Sequence, residues 1–298
     1  MQVIEANGGR SQSCGESFLF LAAMSSFVNF LKPYNPFNPR MPLLHSTSFQ
    51  SFMNIIQSHV LSPTPCTVFE GEELLYLFYG RPAYRVSATV TSQGQFRHLP
   101  VCFILTPESI SGAKRIYPFD SGAFETGLFD QFLRGFPRDN FMIGNFPDGP
   151  QRLVSAFYEN NRNYYFGYLS KAIDAGPSQF EVNGYLDMLR DTAVVYNDSG
   201  QSTSDDRRQT IEIQTDSQVA LKAEQVSDSN GKTTVRNKVL AVILPQRALD
   251  EPEVIEAVTH VWKAKPLTYE LYMFTRPSEY HIVIRENIAQ LLKDENFL

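Results

Sequence analysis

Cysteine is scarce in this chain: three residues in 298, at Cys14, Cys66 and Cys102. So sparse and odd a set builds no disulfide framework and points to reduced thiols in a cytoplasmic setting. Long apolar runs are missing as well. The richest stretch, Ser17 to Leu31, is too short and too polar to span a bilayer. No basic run precedes it, since Glu5 and Arg10 nearly cancel, so a signal peptide is not expected and an N-terminal helix or extension is. Positive charge is in deficit: 26 Lys and Arg against 32 Asp and Glu leave −6. That argues against coating nucleic acid by bulk electrostatics, while leaving room for a local groove at Arg207 and Arg208 or at Arg134 and Arg138.

Several motifs are absent. Without Gly-x-Gly-x-x-Gly a Rossmann site is unsupported, and without Gly-x-Ser-x-Gly so is a serine hydrolase. Gly231-Lys232-Thr233 imitates the end of a P-loop, but Val226 stands where the first glycine is needed. Asn230-Gly231 reads instead as a hairpin turn. His98 and Cys102 lack a second pair with which to hold a metal, and no metal is expected. Cys102 lies in an apolar run, where burial raises a thiol's pKa and blunts it as a nucleophile.

What is present suffices for a full core. Hydrophobic residues make up 43% and charged residues 19%, and the 23 Phe and 14 Tyr can build a core or line pockets for planar ligands. Residues 1–41 read as the extension or helix with a Pro-rich lead-in, and 42–298 as a single domain. Leu43 to Thr47 and Pro100 to Leu105 read as strands, and Phe49 to Gln57 has helical spacing with Ser48 as its cap. Glu72 to Phe78 is either helix or strand. Gly127 to Phe132, Leu153 to Tyr168, Val182 to Leu189 and Glu253 to Lys263 read as helices. Val194 to Tyr196, Gln209 to Gln214, Val239 to Leu244 and Tyr280 to Ile284 read as strands, and Asn197 to Asp206 as a polar loop. The lack of a regular βαβ beat favours α+β over a doubly wound sheet.

Four segments carry candidate chemistry. His45 and Thr47 share one face of a strand end and offer the donors and acceptors that grip a ribose, although a lone histidine near a strand is often structural. Tyr79, Arg81, Tyr84 and Arg85 surround a Gly-x-Pro turn. Arginine forks onto phosphate and tyrosine stacks on planar rings, or the stretch is a plain surface turn. Tyr117 to Phe124 is an aromatic turn, read mainly as packing. Glu212 lies mid-strand, opposite in direction to Ile211 and Ile213, either in a catalytic cleft or on an exposed edge. A polar loop leads into it.

Taken in order, these pieces resemble the ADP-ribosyltransferase superfamily, and most nearly its bacterial DarT-type members that modify nucleic acid. The resemblance runs from Leu43 to Leu249 on the His-x-Thr opening, the following helix, and a late strand with Glu behind a polar loop. It implies split mixed or antiparallel sheets around an NAD cleft with flanking helices. It implies His45, Ser46 and Thr47 on the dinucleotide, with Tyr79 or Tyr84 stacked on nicotinamide and Arg81 or Arg85 at the pyrophosphate. Glu212, with Arg81, would be catalytic, and Asp206, Arg207 and Arg208 would meet the target. It further implies a toxin or phage-defence effector acting on DNA or RNA, silenced by a partner protein. Thr210, two residues before Glu212, departs from the Gln or Glu of arginine-modifying members. Plain NAD hydrolysis, a protein target and a non-enzymatic binding module on the same fold remain alternatives.

Overall fold

The computed structural model describes residues 26–83, 96–144, 147–191, 206–227, 233–271 and 280–298. Its strands are β1 (Leu43–Ser48), β2 (Val60–Leu61), β3 (Thr64–Pro65), β4 (Glu73–Tyr79), β5 (Pro100–Leu105) and β6 (Arg115–Tyr117) in the first part. The second part adds β7 (Glu212–Thr215), β8 (Val219–Ala220), β9 (Glu224–Ser227), β10 (Thr233–Arg236), β11 (Val239–Pro245) and β12 (Lys265–Tyr269). Its helices are α1 (Ser26–Leu31), α2 (Phe49–Ser58), α3 (Ser121–Glu125), α4 (Asp130–Leu133), α5 (Asp148–Tyr158), α6 (Asn161–Phe166), α7 (Phe180–Arg190), α8 (Pro252–Ile255) and α9 (His281–Asp294). The fold is α+β, as expected, with a mixed central sheet and flanking helices.

The sheet runs β12-β11-β5-β1-β4-β7-β6, and β3 adds to β4. Only the β11–β12 pair is parallel. β5 is buried along its whole length between β11 and β1, which is why Val101 to Leu105 is an unbroken apolar run rather than an alternation. Helix α2 packs on β1 and β5, and its entry is fixed by Ser48, whose hydroxyl accepts from the Ser51 amide. A second group of helices (α1, α4, α5 and α7) packs together. Phe27 of α1 is fully buried in its centre, against Phe141, Phe157 and Tyr185. Residues 26–41 thus contribute to the main core rather than standing apart from it.

The structure corrects several local expectations. Tyr280 to Ile284 is not a strand: it opens α9, whose Ile284, Ile288, Leu291 and Leu292 share a buried helical face. The helix expected over Leu153 to Tyr168 divides at Glu159, where φ is 69°, and Asn160 caps α6 by accepting from the Asn163 amide. Of Gly127 to Phe132, the first three residues are turn and the last three lie in α4. Glu72 to Phe78 resolves as strand, since β4 is held by neighbours on both edges. The Asn230-Gly231 turn lies outside the described residues, but β9 and β10 pair antiparallel across it. Val194 to Tyr196 and residues 197–205 of the polar loop also lie outside.

Candidate functional site

The sheet parts between β1 and β4. The two strands pair only at Leu43–Tyr79 and Leu44–Phe78. Past those positions β1 stays with β5 as far as Ser48, whereas β4 meets β3 at Thr64–Leu74. A cleft of about 720 Å³ opens in between, roofed by α2 and walled by His45, Thr47, Thr64, Tyr76 and Phe78. That size suits a small organic ligand.

His45 sits at the fork. Its Nδ1 lies 3.0 Å from the carbonyl oxygen of Tyr76, a β4 group at the point where β1 has turned away. A carbonyl only accepts, so Nδ1 carries the hydrogen. Burial lowers the His45 pKa, the Tyr76 bond opposing it more weakly, so the ring is neutral at pH 7. Nε2 therefore keeps a lone pair. Thr47 alternates onto the same side of β1 as His45. Ser46 does not share it: it pairs with Cys102 across β1 and β5, and its buried hydroxyl lies at the Cys102 thiol. Burial pushes that thiol up to about 12, as its apolar strand predicts. Ser46 lines the cleft as well, while its hydroxyl is buried on the Cys102 side of β1.

The described lining is mixed: Val60, Leu61, Leu74, Leu75 and Phe78 give it apolar surface, and hydroxyl and amide side chains give it polar groups. Besides His45 and Thr47 it carries Ser51, Asn54, Ser58, Ser62 and His98, and no Asp, Glu, Lys or Arg stands among its described residues. Hydroxyls and amides both donate and accept, which matches sugars and carboxamides better than a bare phosphate.

Glu212 lies one strand further on. Directly paired residues project to one face, so Phe78 of β4, Glu212 of β7 and Tyr117 of β6 form a row. Phe78 lines the cleft; Glu212 is fully buried beside it. One carboxylate oxygen accepts from the Ser121 amide at 3.1 Å. The other accepts from the Ser121 hydroxyl at 2.6 Å and from Gln214 Nε2 at 2.7 Å. The carboxylate is therefore neither on an exposed edge nor on the cleft surface. Ser121 and Gln214 escaped the sequence reading. The signal for Ser121 was Asp120, which caps α3 through the Ala123 amide and so places Ser121 at a helix start.

Arg81 and Tyr79 have tasks other than those expected. Arg81 is 2% exposed; its Nη1 donates to the Tyr164 carbonyl at 3.0 Å and to Gln209 Oε1 at 2.9 Å. Its guanidinium lies over the Tyr164 ring. Tyr79 is 1% exposed, and its hydroxyl accepts from the Met41 amide. The Tyr164 hydroxyl donates to the Tyr79 carbonyl and accepts from the Ile211 amide. These residues tie the end of β4 to α6 and to the approach to β7, and neither Arg81 nor Tyr79 lines the cleft. Tyr84 and Arg85 lie outside the described residues, as does the Asp206 side chain. Arg208 pairs with Asp191 at 3.1 Å and stacks on Phe132, and Arg207 shares its 3₁₀ turn, Asp206–Arg208. Arg134 and Arg138 likewise meet Asp130 and Glu125.

Among the described residues no group of three or more His, Cys, Asp or Glu converges as a metal site, and no helix is long and apolar enough to cross a membrane. No protein-family model, curated protein or solved structure matches the chain.

Proposed function

We propose that the chain is an NAD-consuming ADP-ribosyltransferase with a nucleic-acid acceptor. One observation carries the reading: a cleft at a fork in the sheet whose described lining offers hydroxyls and no Asp, Glu, Lys or Arg, headed by a neutral histidine, with a buried glutamate one strand away on the face of Leu44 and Phe78, the face opposite to that of His45 in strand alternation. The ribose and carboxamide of NAD match such a lining. His45 Nε2 accepts from a ribose hydroxyl and Thr47 bonds a second.

In the reaction the bond between the ribose C1′ and the nicotinamide nitrogen breaks, and its electron pair leaves with neutral nicotinamide. The ribosyl cation that develops is stabilised by the negative charge of Glu212, as carboxylates do in glycoside cleavage. A nucleophilic oxygen or nitrogen of the acceptor then bonds C1′ and sheds its proton. Because Glu212 is buried beside Phe78, the reading requires the Phe78 ring to yield when NAD enters. Arg81 serves by holding the strand ends in place.

A second reading is a non-enzymatic binding module. The sealing of Glu212 at both oxygens favours it. The deciding experiment measures nicotinamide release from NAD by the purified chain, alone and with DNA, RNA or cell extract, beside Glu212→Gln. Release that needs nucleic acid and is lost in the variant supports the transferase. Release without acceptor means NAD hydrolysis. No release under any condition leaves the binding module, with NAD binding to the cleft then measured by calorimetry. Expression that stalls growth, relieved by Glu212→Gln, supports the toxin or defence role and the need for a neutralising partner.

A further inference from the structure

The edge of the sheet beyond Glu212 holds a chain of side chains that the proposed reaction has not used. Gln214 lies two residues after Glu212 on the same face of β7 and is fully buried. Its Nε2 donates to Glu212 at 2.7 Å and to the Ser121 hydroxyl at 3.2 Å. An amide can be turned over, and the reversed Gln214 would set its oxygen against the carboxylate. Arg115 prevents this. It stands directly opposite Gln214 in β6, and its Nη1 donates to Gln214 Oε1 at 3.3 Å, so the oxygen is turned to the arginine and the NH₂ to Glu212.

Arg115 is itself fixed. Glu72 takes both terminal nitrogens, at 2.8 and 2.5 Å, and Lys114 joins Glu72 at 3.0 Å. The guanidinium also lies 4.2 Å from the centroid of Phe69. Two-point pairing and stacking hold its plane. The Arg115 guanidinium first and Lys114 second hold the Glu72 carboxyl down to about 2, so this anchor stays charged through the working pH range.

We infer that Gln214 and Arg115 are positioning residues for Glu212: Arg115 sets the direction of the Gln214 amide, and the amide sets the carboxylate. The inference rests on the proposed role of Glu212 and adds residues to it. Misplacing a reacting group by about an ångström costs on the order of a hundredfold in rate.

The test is steady-state nicotinamide release by the full chain carrying Gln214→Leu, Gln214→Asn, Arg115→Ala or Arg115→Lys, with Glu212→Gln alongside. Gln214→Leu is expected to lower kcat by on the order of ten- to a hundredfold with the KM for NAD unchanged. Gln214→Asn keeps the amide but withdraws it from Glu212, and gives the same loss should the leucine variant not fold. Arg115→Ala lowers kcat in the same way, and Arg115→Lys, which still donates to Gln214 Oε1, restores most of it. Folding is followed by melting, so that rates refer to folded protein. If Glu212→Gln abolishes release while the Gln214 and Arg115 variants keep a normal kcat, the positioning role is overturned and the transferase reading stands. If Glu212→Gln leaves release intact, the reading of Glu212 falls and this inference falls with it.

Discussion

The Nδ1–H of His45 is bonded to the carbonyl oxygen of Tyr76 at 3.0 Å, across the point where β1 and β4 separate. A strand that loses its neighbour leaves carbonyls unpaired, and one such group deep in a sheet costs about 1–3 kcal/mol. The imidazole bonds the Tyr76 carbonyl at this point, and in the proposed reading its other nitrogen serves NAD. His45→Ala should therefore weaken NAD binding and lower the melting temperature together. His45→Asn can keep a donor near Tyr76, and should recover more stability than affinity. Calorimetric titration with NAD beside thermal melts checks both; equal recovery of the two would remove the case for separate roles of the ring nitrogens.

Glu212 has a structural role as well as the proposed chemical one. Glu212→Ala takes the carboxylate acceptor from the Ser121 amide and hydroxyl and one of two acceptors from the Gln214 amide, at about 1–3 kcal/mol for each buried group left unpaired. Glu212→Gln keeps the shape but sets an NH₂ among donors, because Ser121 N and Gln214 Nε2 both donate there. Urea unfolding should rank wild type above Gln and Gln above Ala. Nicotinamide release per folded molecule should fall on the order of a hundredfold or more in both.

The turn after β4 is set by Gly80, at φ 65°. A Cβ there would come within 2.5 Å of the Met41 sulfur, and Met41 is fully buried. Gly80→Ala combines left-handed strain of about 1–2 kcal/mol with this overlap, so a destabilisation above about 2 kcal/mol is expected in urea unfolding. Arg81→Gln, next in the chain, withdraws the donor from Tyr164 O and Gln209 Oε1 and should also lower stability.

The sequence predicted best where local chemistry decides. Ser48 announces α2 because a cap needs only its own neighbours, and Pro100 to Leu105 reads as a buried strand because no polar residue interrupts it. Tyr280 to Ile284 misled because β-branched residues favour strands locally, while tertiary burial of Ile284 and Ile288 chooses the helix. The site is harder to read. That His45 and Thr47 share one side of β1 was legible from alternation alone; that both line a cleft comes from the parting of β1 and β4. Glu212 is bonded by Ser121, 91 residues earlier, and by Gln214, whose amide in turn meets Arg115, contacts that no spacing rule reveals. Arg81 and Tyr79 were read as ligand residues from composition. Their burial follows from Tyr164, whose hydroxyl and carbonyl organise the end of β4 from a helix far along the chain.

Trp262, the chain's single tryptophan, is fully buried, and its indole N–H donates to Nδ1 of His59 at 3.1 Å. An accepting Nδ1 has no hydrogen, so His59 is neutral in this arrangement, with its proton on Nε2. Burial first, and the charge of Lys222 second, lower its pKa from 6.5. The folded state then takes up a proton less readily than the unfolded chain. The pair contributes stability above about pH 6.5, and that contribution is lost as the pH falls through the lowered folded value. His45, lowered by burial too, acts with the same sign. Protonation of His59 removes the acceptor of the indole, so Trp262 emission should change with a midpoint below 6.5. His59→Gln, whose amide oxygen accepts at any pH, should abolish that transition and flatten the fall of melting temperature between pH 7 and pH 5. An unchanged fluorescence titration in His59→Gln would assign the transition to another group and leave the His59–Trp262 bond without a part in acid sensitivity.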